Sequence, residues 1–331
     1  MASPTLTTDL TAFIPNYWDA VLGENLYPNL YFYQFGTKRT IPRNFGNTIK
    51  IPRLDKSNIV TSIGEGVIVG TCQISDQTIS GSLVQFAGAY KHSDILVFTA
   101  LSDVIELSLR DIARDIAKRM DAHIRDTLSL TGYEVLGGRG TGEATSLKLS
   151  TGVKGMLTGK SIVRAVTVLD EQDNPRPPDN HYPAIIHPAT AYDIQTNLSA
   201  GNWLDITKYQ ETGIGRTYLG EIGRMFGARF ITSTNLRRFA TSFAGSSGIR
   251  QYMFAPDAYY VTEISDLTAR TYIKQLGSAG TADPVNQQAT VGAKVYFGCL
   301  PATWSSTEYR MVRLKSVPSI GTTNINTTAA P

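Results

Sequence analysis

DVIELSLRDIARDIAKRMDAHIRDTLS, residues 103–129, reads as one long helix to which the flanking segments attach. Ile105, Leu109, Ile112, Ile116, Met120, Ile124 and Leu128 recur every three or four residues, the spacing of a single helical face. Asp103, with Glu106 three residues later, predicts a capping box at its start. Neither Gly nor Pro interrupts the run before Gly132, and at 1.5 Å per residue it spans roughly 40 Å. The opposite face carries Arg110, Asp111, Arg114, Asp115, Lys118, Arg119, Asp121, Arg125 and Asp126. Asp115 to Arg119 and Asp121 to Arg125 are spaced as i,i+4 ion pairs, each contributing a few tenths of a kcal/mol. These charges are expected to be a solvated face, with no catalytic role. So long a helix with so narrow an apolar stripe needs a sheet or a neighbouring subunit against it.

The composition sets the class. A chain of 331 residues, 42% hydrophobic and 18% charged, is an ordered protein with one large or two ordinary domains. Its net charge of +3 and its short basic clusters, Lys38-Arg39 with Arg43 and Arg237-Arg238, argue against sequence-specific nucleic-acid binding. Cys72 and Cys299 stand far apart without a CxxC, so plain thiols are expected rather than a disulfide framework or a zinc site. The first residues lack the basic and apolar regions of a signal peptide, and no apolar run approaches a membrane span. A soluble protein made in the cytosol is the expectation.

Residues 1–45 read as an arm. Short aromatic pieces (Phe13-Ile14-Pro15, Tyr17-Trp18, Leu30-Tyr31-Phe32-Tyr33) are broken by prolines, with a short helix expected from Tyr17 to Leu26. Such an arm is expected to pack elsewhere, on another copy of the chain. From Thr48 the period becomes two, over Thr48–Leu54 and again over Gln77–Tyr90. The glycines at 64, 66 and 70 between them predict a long two-stranded ribbon, residues 46–92, with a mobile tip. An isolated ribbon is marginal in water, so this one is expected to lie on a neighbour.

After the long helix, Gly137–Gly142 is a flexible loop and Gly155–Ser161 superficially resembles a phosphate-binding P-loop. Only three residues separate its glycines where four are needed to wrap phosphates. A helix capped by Thr158, with Ile162, Ala165, Val166 and Leu169 on one face, explains the stretch better. Past the polar link 170–180, Tyr182–Ile186 predicts a buried strand and Ala189–Leu198 a short helix. Residues 220–233 predict a turn, a compact helix and a strand at 228–233. Tyr252–Glu263 predicts a strand pair. These make residues 182–268 an α/β layer. Strands return from Thr290 and from Tyr309, and the tail after Pro318 reads as loose.

Nothing in the chain selects an active site. Nucleophile elbows and metal-ligand spacings are absent, and Gly213–Tyr218 breaks the dinucleotide pattern. His123 and His187 read as structural. No enzyme, cofactor or metal is expected.

In this order, the pieces resemble the major capsid protein of tailed bacteriophages, the Hong Kong 97 fold, and within it a branch of short-tailed-phage coat proteins. The likeness is carried by Glu65-Gly66-Val67, Gln85-Phe86-Ala87-Gly88, Ser93-Asp94, Asp121, Ile186-His187-Pro188, and Gly220-Glu221-Ile222-Gly223 with Gly227 and Asn235. It implies an α+β, HK97-like fold: an N-terminal arm (1–45), an extended β-hairpin E-loop (46–92), a peripheral domain with the spine helix (93–181), an α/β apical domain (182–268), and a return to the peripheral domain with the tail (269–331). It implies hexamers and pentamers of identical copies closing into an icosahedral virion shell around double-stranded DNA, assembled in the host cytoplasm. Portal protein and separate scaffolding or decoration proteins are the implied partners, and no membrane is involved. The assembly contacts are expected at Tyr17, Trp18, Arg53, Lys56, Glu65, Gly66 and Val67. Two alternatives stand beside this reading. An encapsulin-type nanocompartment would enclose cargo enzymes; a nucleotide-dependent enzyme would rest on Lys160.

Overall fold

The structure, a computed structural model, describes residues 30–54, 73–100, 103–137, 155–196, 221–240, 247–265, 269–278, 283–303 and 308–318, together with 60, 62–66, 68 and 71. The expected helix at 17–26, the glycine loop beyond Gly137, Gly213–Tyr218 and the tail after Pro318 lie outside them.

The long helix, α2, runs Val104–Leu128, as its periodicity predicts. Leu109, Ile112, Ile116, Met120, Ile124 and Leu128 are buried, with Ala113 and Ala117 widening the stripe. The Asp103 carboxylate caps the start, accepting from the amides of Ile105 (2.9 Å) and Glu106 (3.3 Å). Glu106 does not complete a capping box; it pairs with Arg110 one turn on.

Two sheets receive this helix. The first has five strands: β1 (Thr37–Ile41), β11 (Tyr259–Ile264), β13 (Gln288–Pro301), β12 (Ala269–Lys274) and β4 (Val84–Ser93). β13 is its axis, with β4 antiparallel along one edge and β12 followed by β11 along the other. Its inward residues Val291, Ala293, Val295 and Phe297 meet the α2 stripe in one apolar cluster. Each large side chain so buried stabilises the fold by roughly 1.5–3 kcal/mol before entropy is subtracted. The second sheet has seven strands in the order β5 (Tyr133–Leu136), β14 (Met311–Ser316), β10 (Ser247–Phe254), β6 (Tyr182–Ile186), β8 (Ala228–Thr232), β7 (Glu221–Met225), with β9 (Arg238–Ala240) also on β10. Helix α3 (Gly159–Glu171) presents the predicted Ile162, Ala165, Val166 and Leu169 to this sheet's own cluster. The short helix α4 covers Pro188–Thr196.

The structure corrects five further expectations. Residues 221–232 form a hairpin, β7–β8, in place of the compact helix. Its two-residue turn, Phe226-Gly227, has both φ angles positive (52° and 79°), the turn geometry that matches strand twist. The expected strand pair at 252–263 is divided: β10 belongs to the seven-stranded sheet and β11 to the five-stranded one, with Ala255–Ala258 crossing between them. Gln77–Tyr90 is likewise two strands, β3 (Asp76–Ser82) and β4, which part where the Leu83 amide bonds the Asn47 carbonyl at 2.9 Å.

The last two corrections meet at one place. Leu30, Phe32 and Tyr33 pack into this chain's own core and not onto another copy. The Phe32 ring lies edge-on to Tyr252 (5.5 Å) and Phe254 (6.2 Å), and its carbonyl accepts from the Tyr259 hydroxyl. The Phe32 amide donates to Asp121 at 2.8 Å. Asp121 is therefore buried on the core side of α2, not on its solvated face, and its second oxygen accepts from Asn235 at 3.3 Å. Arg125 turns to Asp126 and Asn235 instead of forming the expected pair.

Candidate assembly surfaces

The ribbon is β2 (Thr48–Leu54) against β3, antiparallel in register from Thr48↔Ser82 to Leu54↔Asp76. Pro52, which has no amide hydrogen, is tolerated because a two-stranded ribbon is all edge. Its base is anchored on the chain's own five-stranded sheet, where Ile49, Ile51 and Ile79 pack on Tyr260, Leu300 and Ala302. A Cβ at Gly298 would lie 2.9 Å from the Ser82 carbonyl oxygen, so only glycine lets the ribbon approach this closely. Arg53, expected at an assembly contact, is half-buried and ion-paired within the subunit to Glu308 at 2.5 Å.

Beyond this base the described residues of the ribbon are exposed. Val60 is 97% exposed, Ile68 93% and Ile74 77%, with Leu54 and Ile63 also in solvent. Glu65 and Gly66 form an exposed turn with Gly66 at φ +81° and open space around it. The other expected contact residues, Tyr17, Trp18, Lys56 and Val67, lie outside the described residues.

A second apolar surface was not read from the sequence. Asp94–Thr99 forms a short helix, α1, begun by the Ser93 hydroxyl accepting from the Leu96 amide at 3.4 Å. None of its residues is buried, and Ile95, Leu96 and Phe98 are exposed, beside exposed Leu107 on α2. Ser93-Asp94 before an apolar run was the available signal, a helix N-cap that the strand pattern of Gln77–Tyr90 obscured. Contiguous exposed apolar side chains of this kind mark interaction surfaces.

The titratable groups serve structure. His92 shares a hydrogen bond with Ser108 at 2.8 Å, whose hydroxyl bonds the Val104 carbonyl. His123 sits between the Phe86 and Phe297 rings, and burial lowers its pKa. His187 accepts from the Ala189 amide at the start of α4. Burial pushes the Cys299 thiol up to about 12, far from a reactive thiolate. The stretch before Lys160 is a helix start: Val317 donates to the Gly155 carbonyl, Thr158 is the N-cap residue, and Lys160 points to solvent. A cleft of about 430 Å³ lies beyond the end of α2, between Leu130, Ala258 and Met311, with Thr131, Thr303, Glu308 and Tyr309 also on its walls. Among the described residues no group of His, Cys, Asp or Glu could hold a metal ion, and no helix is long and apolar enough to cross a membrane.

No protein-family model and no curated protein matches the chain. Solved structures do. The capsid of Ralstonia phage GP4 superposes with a TM-score of 0.70 at 14% identity, covering 88% of this chain and 89% of that one. The chain has a phage capsid-protein fold. The capsid of cyanophage P-SCSP1u (TM-score 0.59, 15% identity, 88% and 89% covered) and the head of Helicobacter pylori bacteriophage KHP40 (0.62, 10%, 87% and 91%) share it. The arrangement is α+β, of the HK97 type.

Proposed function

We propose that this chain is the major capsid protein of a tailed bacteriophage, assembling as hexamers and pentamers into an icosahedral shell around double-stranded DNA. The carrying observation is a capsid-protein fold over nearly the whole chain that leaves a ribbon tip and a short helix coated with exposed isoleucine, leucine, valine and phenylalanine. Such surface is costly in water and is covered when identical copies meet in many modest interfaces. The five-part division at residues 45, 92, 181 and 268 belongs to this reading, as do contacts through Tyr17, Trp18, Arg53, Lys56, Glu65, Gly66 and Val67. The partners are other copies of the chain, a portal, and separate scaffolding or decoration proteins, and the product is the virion shell assembled in the host cytoplasm. With a net charge of +3 the shell contains the genome mechanically while counterions neutralise it.

The test is expression of the chain, alone and with its phage's scaffolding protein, followed by electron microscopy. Closed shells of uniform size are expected. A monomer in both preparations at high concentration overturns the reading. Particles from infected cells should hold nuclease-resistant DNA; particles filled with an enzyme cargo instead would identify a nanocompartment.

A further inference from the structure

The face of the seven-stranded sheet that meets the end of α2 gathers positive charge. The registers Arg250↔Lys315, Tyr252↔Arg313 and Phe254↔Met311 put these side chains of β10 and β14 on one side, while Met253, Val312 and Leu314 point into the other cluster. Phe254 and Met311 pack with α2, and the Tyr252 hydroxyl donates to the Arg125 carbonyl at 3.4 Å. Burial pushes that hydroxyl up to about 12, and the charges of Arg250, Arg125 and Arg313 all oppose the rise, so three guanidinium groups lie near one phenol. Arg237 joins them just before β9, where its carbonyl accepts from the Arg250 amide at 3.0 Å.

The carboxylates are too few. Asp126 pairs with Arg125 (3.0 Å) and Arg237 (3.6 Å), and Glu134 with Lys315 (2.6 Å) and Arg313 (3.6 Å). Asp121 lies deeper, bonded to Phe32 and Asn235. Arg313 also donates to the carbonyls of Ser129 and Gly132. Arg250 is left over. Among the described residues no carboxylate pairs with its guanidinium, and its Nε–H has no acceptor. It stands over the Phe239 ring, 5.7 Å from the centroid, with the Lys315 ammonium over the same ring at 5.4 Å. That ring lies against Gly248, where a Cβ would collide with it. Cation–π contacts fix the two cations in place without cancelling their charge.

A guanidinium held flat by a ring is a fork pre-set for the paired oxygens of an oxyanion. Cations spread over neighbouring strands suit a chain of phosphates better than one small ion, since residues two apart on a strand stand about 7 Å from each other. Resting on the capsid reading above, we propose that Arg250, with Lys315, Arg313 and Arg237 around Phe239, is a phosphate site that holds the backbone of the DNA enclosed by the shell. The side of the subunit at the end of α2 is then the side that meets the genome. Phosphate contacts carry no base information, in keeping with a chain that has no concentrated basic run. One such site per subunit positions the duplex against the wall, while counterions still neutralise most of it.

The test is binding of a short labelled duplex to full-length subunits, followed by fluorescence anisotropy between about 50 and 200 mM salt. Arg250→Gln is expected to weaken binding about threefold to tenfold at the low end and to lower the slope of log affinity against log salt by about 1. Arg250→Lys keeps the charge and loses the fork, so it should fall between Arg250→Gln and wild type. Lys274→Gln removes the same charge from an exposed position on the five-stranded sheet and is expected to bind as wild type does. Urea midpoints equal to wild type would show that neither change acts through folding. No duplex binding by wild-type chain, unchanged affinity and slope in Arg250→Gln, or an equal loss in Lys274→Gln overturns the site. Calorimetry with inorganic phosphate is the second arm. Arg250-dependent heat with duplex affinity untouched would give the site to the free ion and end its assignment to the genome. The capsid reading is decided separately, by the shells seen in electron microscopy, because duplex binding by subunits needs no shell.

Discussion

Asp121 shows what a single buried carboxyl does in a helix otherwise held by hydrocarbon. Burial raises its pKa from 3.8 to about 6, and the hydrogen bonds from Phe32 and Asn235 and the charge of Arg125 only partly oppose that rise. Because the folded value lies above the unfolded one, the folded chain binds more protons between the two. The stabilisation is therefore complete below pH 3.8 and lost as pH rises through about 6. Between pH 7.5 and 5 this one group is expected to add about 1 kcal/mol to the stability of the unassembled subunit. Asp121→Asn should remove that increment, which paired urea titrations at the two pH values would detect; equal slopes in both proteins would refute the assignment. Ile116, on the same helix, is purely apolar in its surroundings, so Ile116→Asp strands a charge in the core and is expected to give insoluble chain. Soluble, assembly-competent Ile116→Asp protein would remove Ile116 from the seam. The Ile116 position was legible from spacing alone. Asp121 was misplaced because its i,i+4 distance to Arg125 imitates a surface ion pair, and nothing in the local sequence announces the Phe32 amide that arrives from 89 residues away.

At the scale of elements, long strong periods were legible and short mixed ones were not. α2, α3 and the β2–β3 pairing follow directly from their patterns. The β7–β8 hairpin did not, because Ile222, Met225 and Phe226 fall at helical spacing and the turn carries Phe where Asn or Asp would signal positive φ. The ribbon's separateness was equally legible, though the anchoring of its base was not, since that depends on Gly298 contributed by a strand more than two hundred residues later. This division of the ribbon sets what a deletion does. Removing Asn58–Gln73 spares the Ile49, Ile51 and Ile79 packing and takes away only tip residues whose described apolar side chains touch solvent. The shortened subunit is expected to keep the circular dichroism and unfolding midpoint of the full chain while forming no closed shells. Normal particles from this deletion would deny the ribbon its part in assembly.

For the whole molecule, the two sheets draw their strands from distant stretches: β5 and β14 join the sheet built around β6–β10, while β1 and β4 join β11–β13. Folding of the body thus couples the ends of the chain to its middle. The order of segments was readable in the sequence; which sheet each strand joins was not, because burial on one face constrains a strand's register and leaves its partner open. The ribbon tip and α1 are outside this coupling. In the proposed shell their covering comes from other copies, so they should be the parts whose accessibility changes most on assembly. Glu65 makes this measurable: it is exposed on a turn, and the tip around it offers trypsin no site because 57–90 lacks lysine and arginine. Glu-specific protease acting briefly on free subunits is expected to give fragments 1–65 and 66–331 before other cuts. In shells, cleavage at Glu65 should slow by at least about tenfold, since the bond is reached only after a neighbour lifts away. Equal cleavage rates in subunit and shell would mean that the tip remains bare in the particle, and the burial of its isoleucines could then not be what drives the copies together.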